Sequence, residues 1–213
     1  MNAMSGVRLG ARCVVLPAVL AAAGCGEFSR QSRSPSQVVV RSLQGASGAD
    51  PEAFSGTLHS DVVTLVEQSV NGERVRVPTV LSDRGEVVMS LLLKDPGQPG
   101  SPSTPSAINQ VTFSRYRVIY RRSDGRASAG IDVPYPFDGA VTFTVPAEGT
   151  VSAGFEIVRH VAKGESPLRA LTSSGATIST IAEVTFFGRD QAGNDVQASG
   201  SILIDFGNFG DPS

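Results

Sequence analysis

Three groups of residues bring chemically capable side chains close enough in sequence to cooperate. Asp190, Asn194 and Asp195 gather carboxylate and amide oxygens within one short stretch. These are the hard donors that Ca²⁺ takes in sets of about six to eight. The same residues also suit a hairpin turn in which an Asp side chain is occupied by its own backbone. Arg115, Arg117 and Arg121 fall on alternate or every-fourth positions, with Arg122 and Arg126 nearby. On a strand they share one face, where bidentate contacts could meet an anionic glycan or a lipid headgroup. A solvated sheet face, balanced by acidic residues on neighbouring strands, is the other reading of that row. Tyr135 and Phe137, within the stretch Val133-Pro134-Tyr135-Pro136-Phe137, either offer an apolar patch to a partner or close one end of a core.

Nucleophilic and metal chemistry find less support. His59 and His160 lie far apart, both in segments read as strands, without the cysteines or H-E-x-x-H spacing of a zinc site. The triplet His59-Ser60-Asp61 cannot act as a triad by adjacency, because successive strand side chains point to opposite faces. Gly45-Ala46-Ser47-Gly48 lacks the G-x-S-x-G spacing, and neither a phosphate-binding nor a dinucleotide-binding glycine motif is present. The chain is therefore read as non-enzymatic and without a cofactor. A hydrolase with a dispersed site is the least favoured alternative. The formal charge of −2 gives no basic footprint for nucleic acid.

Cys25 carries a different chemistry. Arg8 and Arg12 precede an apolar run, Val14–Ala23, with no acidic residue before Glu27. Ten helical residues rise about 15 Å, half a bilayer core, so the run is no stable membrane span. Ala22, Ala23 and Gly24 then lead into Cys25. This arrangement resembles the signal segment and lipobox of bacterial lipoprotein precursors, with Ala22 where leucine is commonest. An ordinary signal cut after Ala23 and an unprocessed apolar segment are the alternatives. The resemblance implies a diacylglyceryl group on the Cys25 thiol, cleavage before it and acylation of the new amine. Gly26 in the next position implies outer-membrane sorting in a Gram-negative envelope. Loss of Arg8 and Arg12 would take the charge from −2 to −4, and the mature chain would hold no disulfide.

These groups must be positioned by the elements between them. Residues 1–24 are read as signal peptide, 25–36 as the lipidated cysteine with a flexible tether, and 37–213 as one domain. The tether spans at most about 36 Å. Hydrophobic residues make up 40% of the chain, enough for a sizeable core. Alternation predicts strands at Leu58–Val70 and Arg74–Leu81 around an Asn71-Gly72 hairpin turn, and at Glu86–Lys94. Val38–Leu43 suits either a first strand or a short helix capped by Ser36. Asp95–Ser106 holds four prolines and reads as a surface loop. Val111–Arg122 shows the clearest alternation, with Tyr116, Val118 and Tyr120 on one face and the arginines on the other. Further strands are expected at Ala140–Val145, Gly154–Val161, Thr177–Phe187 and Val196–Phe206, with a single helical turn at Pro167–Leu171. Eight or nine strands joined by turns predict an all-β fold, a single antiparallel sandwich.

Glu183–Phe206, with Asp190, Gly193 and Asn194 in its turn, resembles the closing hairpin of bacterial immunoglobulin-like domains. That resemblance implies a fold and no activity. The expected molecule is an envelope lipoprotein held to the membrane by its N-terminal lipid, with an envelope protein or glycan as partner. Its expected role is non-enzymatic binding or structural interaction, with an adhesin-like carbohydrate-binding module as the runner-up.

Overall fold

The computed structural model describes residues 33–209. Cys25, the signal segment and most of the tether lie outside that range. The fold is all-β. In chain order the strands are β1 (Ser36–Ala46), β2 (Thr57–Asp61), β3 (Thr64–Val70), β4 (Glu73–Thr79), β5 (Asp83–Leu93), β6 (Gly97–Gln98) and β7 (Ser101–Pro102). They are followed by β8 (Val111–Arg122), β9 (Phe137–Val145), β10 (Thr150–Val158), β11 (Ile178–Asp190) and β12 (Asp195–Gly207). A three-stranded sheet runs β1-β5-β10 and a five-stranded sheet runs β2-β12-β11-β8-β9. The β3–β4 and β6–β7 hairpins form two-stranded sheets of their own. No helix among the described residues is long and apolar enough to cross a membrane.

The two larger sheets face each other across one core because their strands alternate. In β8, Val111, Phe113, Tyr116, Val118 and Tyr120 are buried while Arg115, Arg117 and Arg121 are exposed. A register shift at Ser114 restores the phase between Phe113 and Arg115. The hub of the core is Phe186 on β11, fully buried. It meets Phe113, Tyr116, Phe143 and Phe155 with ring centroids 5.2–6.3 Å apart, a range typical of edge-on and offset aromatic pairs. Tyr116 and Tyr120 extend from β8 to the opposite sheet and donate to the backbone oxygens of Glu156 (2.9 Å) and Ile157 (2.6 Å). Room for Tyr116 depends on Gly139, where an added Cβ would lie 2.2 Å from the ring.

Several elements differ from expectation. Val38–Leu43 belongs to a longer strand, β1, and not to a helix. The tether ends earlier than residue 36: Ser34 and Ser36 are buried, and the Ser36 hydroxyl donates to the Asn109 carbonyl at 2.9 Å. Leu58–Val70 is two strands in different sheets. Asp61 breaks it, accepting from the Val63 backbone at 3.3 Å and lying 3.5 Å from the Thr64 hydroxyl, the local bonding by which Asp competes with a strand ladder. The antiparallel expectation fails at one seam, where β2 runs parallel to β12, with Thr57 opposite Leu203. Asp95–Ser106 is a loop that carries the small β6–β7 hairpin. The strand expected to reach Val161 ends at Val158, and His160–Lys163 forms a single helical turn. A 3₁₀ helix at Leu168–Ser173 takes the place of the turn expected at Pro167–Leu171.

Burial divides Phe186 from its neighbour Phe187, which lies half-buried on the outer face. Phe186→Ala should cost about 3–5 kcal/mol in denaturant unfolding and Phe187→Ala about 1 kcal/mol or less. Equal losses at the two positions would contradict the packing described.

Candidate functional site

The arginine row is present but already engaged. Asp138 on β9 pairs across the strands with Arg117 on β8, accepting from Nε at 3.2 Å and from Nη2 at 2.7 Å. Arg115 lies 3.5 Å from the same carboxylate, and its guanidinium sits 4.2 Å from the centre of the Phe187 ring. The Arg117 hydrogen bonds hold the Asp138 carboxyl below the usual carboxylate range. The clamp is therefore complete at neutral pH, and it is lost only as pH falls through that depressed value. Arg121, four residues further along β8 and beyond Ile119, is exposed and faces Ile181 in the register. The row is thus one bidentate clamp, one stacked arginine and one exposed arginine.

The Asp190 turn holds itself together. One Asp190 oxygen accepts from the backbone of Ala192 (3.0 Å) and Asn194 (2.8 Å), and the other from the Asn194 amide (2.8 Å). Burial opposes ionisation, but bonds from Asn194, Ser34 and Ala192 hold the Asp190 carboxyl below its ordinary range. Asp195 turns away to Arg189, 3.0 Å from its Nε. The three residues are thus not convergent: Asp190 and Asn194 bond to each other and Asp195 points elsewhere. Among the described residues no group of three or more His, Cys, Asp or Glu is placed to hold a metal ion.

The histidines and the serine beside one of them also go separate ways. His59 is largely exposed, 3.8 Å from Asp205 and edge-on to Phe209. Ser60 instead points inward and donates to Asp83 at 2.6 Å. Ser82 accepts from the His160 backbone at 3.0 Å and lies 3.3 Å from its Nδ1, which makes it a cap for the short helix.

Composition gave no signal for the pair buried beneath that helix. The ammonium of Lys163 lies 2.7 Å from Asp83, with side-chain exposures of 1% and 0%. Lys163 also donates to the Asp61 carbonyl at 2.8 Å, and Asp83 accepts from the Gly48 backbone at 2.9 Å as well as from Ser60. Burial pushes the Asp83 carboxyl up against the opposing pull of Lys163. Nothing can reach these groups from outside, so their role is to hold the helix onto β2 and β5.

That helix completes an aromatic surface with the makings of a binding site. Tyr135, Pro136 and Phe137 lead into β9, and together with Arg159, Val161 and Ala162 they frame an open depression of about 380 Å³. Tyr135 is 56% exposed and Val161 53%. Phe137 is fixed from both sides: Arg159 stacks on it at 4.1 Å while Tyr116 meets it edge-on at 6.1 Å. Arg159 is held by a 2.7 Å bond to the Asp138 carbonyl and lies 3.6 Å from Glu156. A smaller hollow of about 180 Å³ adjoins it, lined by Ile119, Phe137 and the Arg117–Asp138 clamp. The sequence pointed to Tyr135 and Phe137. Arg159 and Val161 come from a segment it read as strand, and only the fold brings them alongside. A larger groove of about 510 Å³ lies between β8 and β11–β12, beside Arg115 and Arg189.

Removing one buried partner should be worse than removing both. Lys163→Ala should cost about 3–5 kcal/mol, because it leaves an uncompensated carboxylate. Lys163→Met with Asp83→Asn should cost less than the two single changes added together. Strict additivity in that cycle would show that the pair is not coupled. At the surface, Asp138→Asn releases Arg115 and Arg117, so the variant should elute from a heparin column at higher salt than the parent. An unchanged elution position would mean that Asp138 does not mask the row.

No family model matches the chain, and no curated protein matches it. Among solved structures it is similar to one described as the X-ray structure of Northeast Structural Genomics Consortium target SoR45, at 9% identity. The similarity covers 80% of this chain and 86% of that one with a TM-score of 0.34, and at that score nothing about fold or function is carried across.

Proposed function

We propose that the protein is an envelope lipoprotein, acylated at Cys25 and sorted to the outer membrane, whose domain binds an envelope partner without catalysing a reaction. The observation that carries this reading is the polarity of the domain. The chain enters at Ser34 and Ser36, beside Asn109 and the Asp190 turn. The aromatic shelf and the short helix lie towards the opposite end, where β10 meets the start of β5 at Val158 and Asp83. Between the two ends runs the length of β1, eleven residues or about 36 Å. A domain tethered at one end presents the other to whatever shares its compartment, and confinement to a membrane raises its effective concentration towards membrane-bound partners.

We read the two-sheet core as immunoglobulin-like. In that scheme β12-β11-β8 stand in the order G-F-C, with β9 in the place of C′ and β1-β5-β10 in the places of A-B-E. The chain has no tryptophan and only two cysteines, both in the first 25 residues. The usual core tryptophan and intersheet disulfide are therefore replaced, with Tyr116 and the Phe186 cluster filling that space. Carbohydrate binding is the second reading. It is favoured by the exposed Tyr135 ring in one depression and the planar Arg117–Asp138 pair in the adjoining hollow, which offer stacking and directed hydrogen bonds.

Expression of the full chain in a Gram-negative host, followed by mass analysis of the N-terminal peptide, tests the anchor. The expected peptide starts at Cys25, carries acyl mass, and is lost in Cys25→Ala. A peptide starting at Gly24 without lipid would overturn the anchor and leave a freely exported domain.

A further inference from the structure

The β3–β4 hairpin stands apart from the core. Among the described residues these two strands pair only with each other, and an isolated two-stranded hairpin is marginal in water. It is nevertheless well specified. Asn71 and Gly72 both take positive φ, at 53° and 86°, as a two-residue type I′ turn requires. Its two faces differ in kind. One carries Val66 and Val70 with Val75 and Val77; Val70 and Val75 are 47% and 37% exposed. The other carries Glu67, within 4.0 Å of both Arg74 and Arg76, so one carboxylate is shared by two guanidiniums and the face keeps a positive charge.

The turn fixes the direction in which each backbone group points. Val70 and Glu73 flank the two-residue loop and form a hydrogen-bonded pair, so Gln68 and Val66 also bond inward to β4. Glu67 and Ser69 therefore direct their N–H and C=O groups to the outer edge of β3. An antiparallel partner strand must place its own outward residues opposite them.

We propose that the occupant of this edge is β3 of a second copy of the chain, paired antiparallel about a two-fold axis through Gln68. The stretch Val66-Glu67-Gln68-Ser69-Val70 is close to palindromic in character. Centred on Gln68, it sets Val66 of one copy against Val70 of the other, Glu67 against Ser69, and Gln68 against itself. The hydrogen-bonding phase is satisfied throughout, and each valine gains an apolar cross-strand neighbour. Centring on Glu67 would oppose two carboxylates, which is destabilising, and centring on Ser69 would leave Val66 without an opposite residue. The outcome is a four-stranded sheet, β4-β3-β3-β4, with its valines on one face to either side of the central Gln68 pair, which removes an exposed edge and takes the hairpin past the two-strand limit. The interface is isologous and closes on itself, so it makes dimers and not filaments.

The test uses the full chain with Cys13→Ser and Cys25→Ser, so that an introduced thiol is the only one and no membrane anchor is involved. Failure here would leave the anchor reading untouched, and failure of the anchor would leave this one untouched. At the axis, two Gln68 positions form a non-hydrogen-bonded pair with Cα atoms about 4.5 Å apart, within disulfide range. Mild oxidation of Gln68→Cys should convert most of the protein to covalent dimer. Glu67→Cys alone, whose copies would stand more than about 7 Å apart, should stay monomeric. Mixing Glu67→Cys with Ser69→Cys should restore the dimer. Ser69→Pro removes only an outward N–H, so it should abolish the dimer in light scattering without loss of the folded circular-dichroism spectrum. Equal crosslinking at residues 67 and 68, no crosslinking at 68, or a persistent dimer in Ser69→Pro would each overturn the proposal.

Discussion

Much of the domain's distal end rests on one pair of charges that water does not reach. Asp83 opens β5, Lys163 closes the short helix, and the two meet under full burial with Ser60, Gly48 and the Asp61 carbonyl completing their hydrogen bonds. Such a pair contributes little net stability compared with apolar side chains, because desolvation offsets most of the attraction. It does forbid alternatives: with either partner displaced, an ion stands alone in a dry core. That constraint binds β2, β5, the Gly48 turn and the helix into one arrangement. The helix in turn carries Val161 and Ala162 to the edge of the aromatic shelf.

Outside the core the same principle operates more gently. Asp138 gathers Arg117 and Arg115 on one face of the five-stranded sheet, and its backbone carbonyl receives Arg159. Arg159 then lies flat on Phe137, so an aromatic ring that would otherwise be free to rotate is held as a fixed platform. Exposed ion pairs of this kind add little to stability. Their effect is to order side chains around the depression, which reduces the entropy a partner must remove on binding.

The parts of this fold that could be read in the sequence were those with strict period-two alternation. β8 was legible because burial alternates strictly from Arg115 to Arg121, with Ile119 the one apolar residue on the arginine face. The Asn71-Gly72 hairpin was legible because its turn admits few other residue pairs. The break at Asp61 was missed since Leu58–Val70 alternates across it; the local cue was an Asp three residues before a Thr. The helix at His160–Lys163 is too short for a helical period to register, and a lysine gives no sign in sequence that it will be buried. The shelf was therefore half legible. Its aromatic residues stood out beside their prolines, whereas Arg159 and Val161 depend on a helix that no periodicity announced.

The parallel seam between β2 and β12 has a consequence for the order of assembly. β2 lies near the start of the domain and finds its partner only in the last strand, with Thr57 opposite Leu203 and Asp61 opposite Gly207. The β11–β12 and β8–β11 pairings close over shorter stretches of chain, so loop-closure entropy favours them earlier. Until β12 exists, one flank of the five-stranded sheet has no template, and a partly synthesised chain cannot complete its core. One strand thus closes two seams at once, the parallel one to β2 and the antiparallel one to β11, so the β2 edge and the β11 edge are covered in a single step.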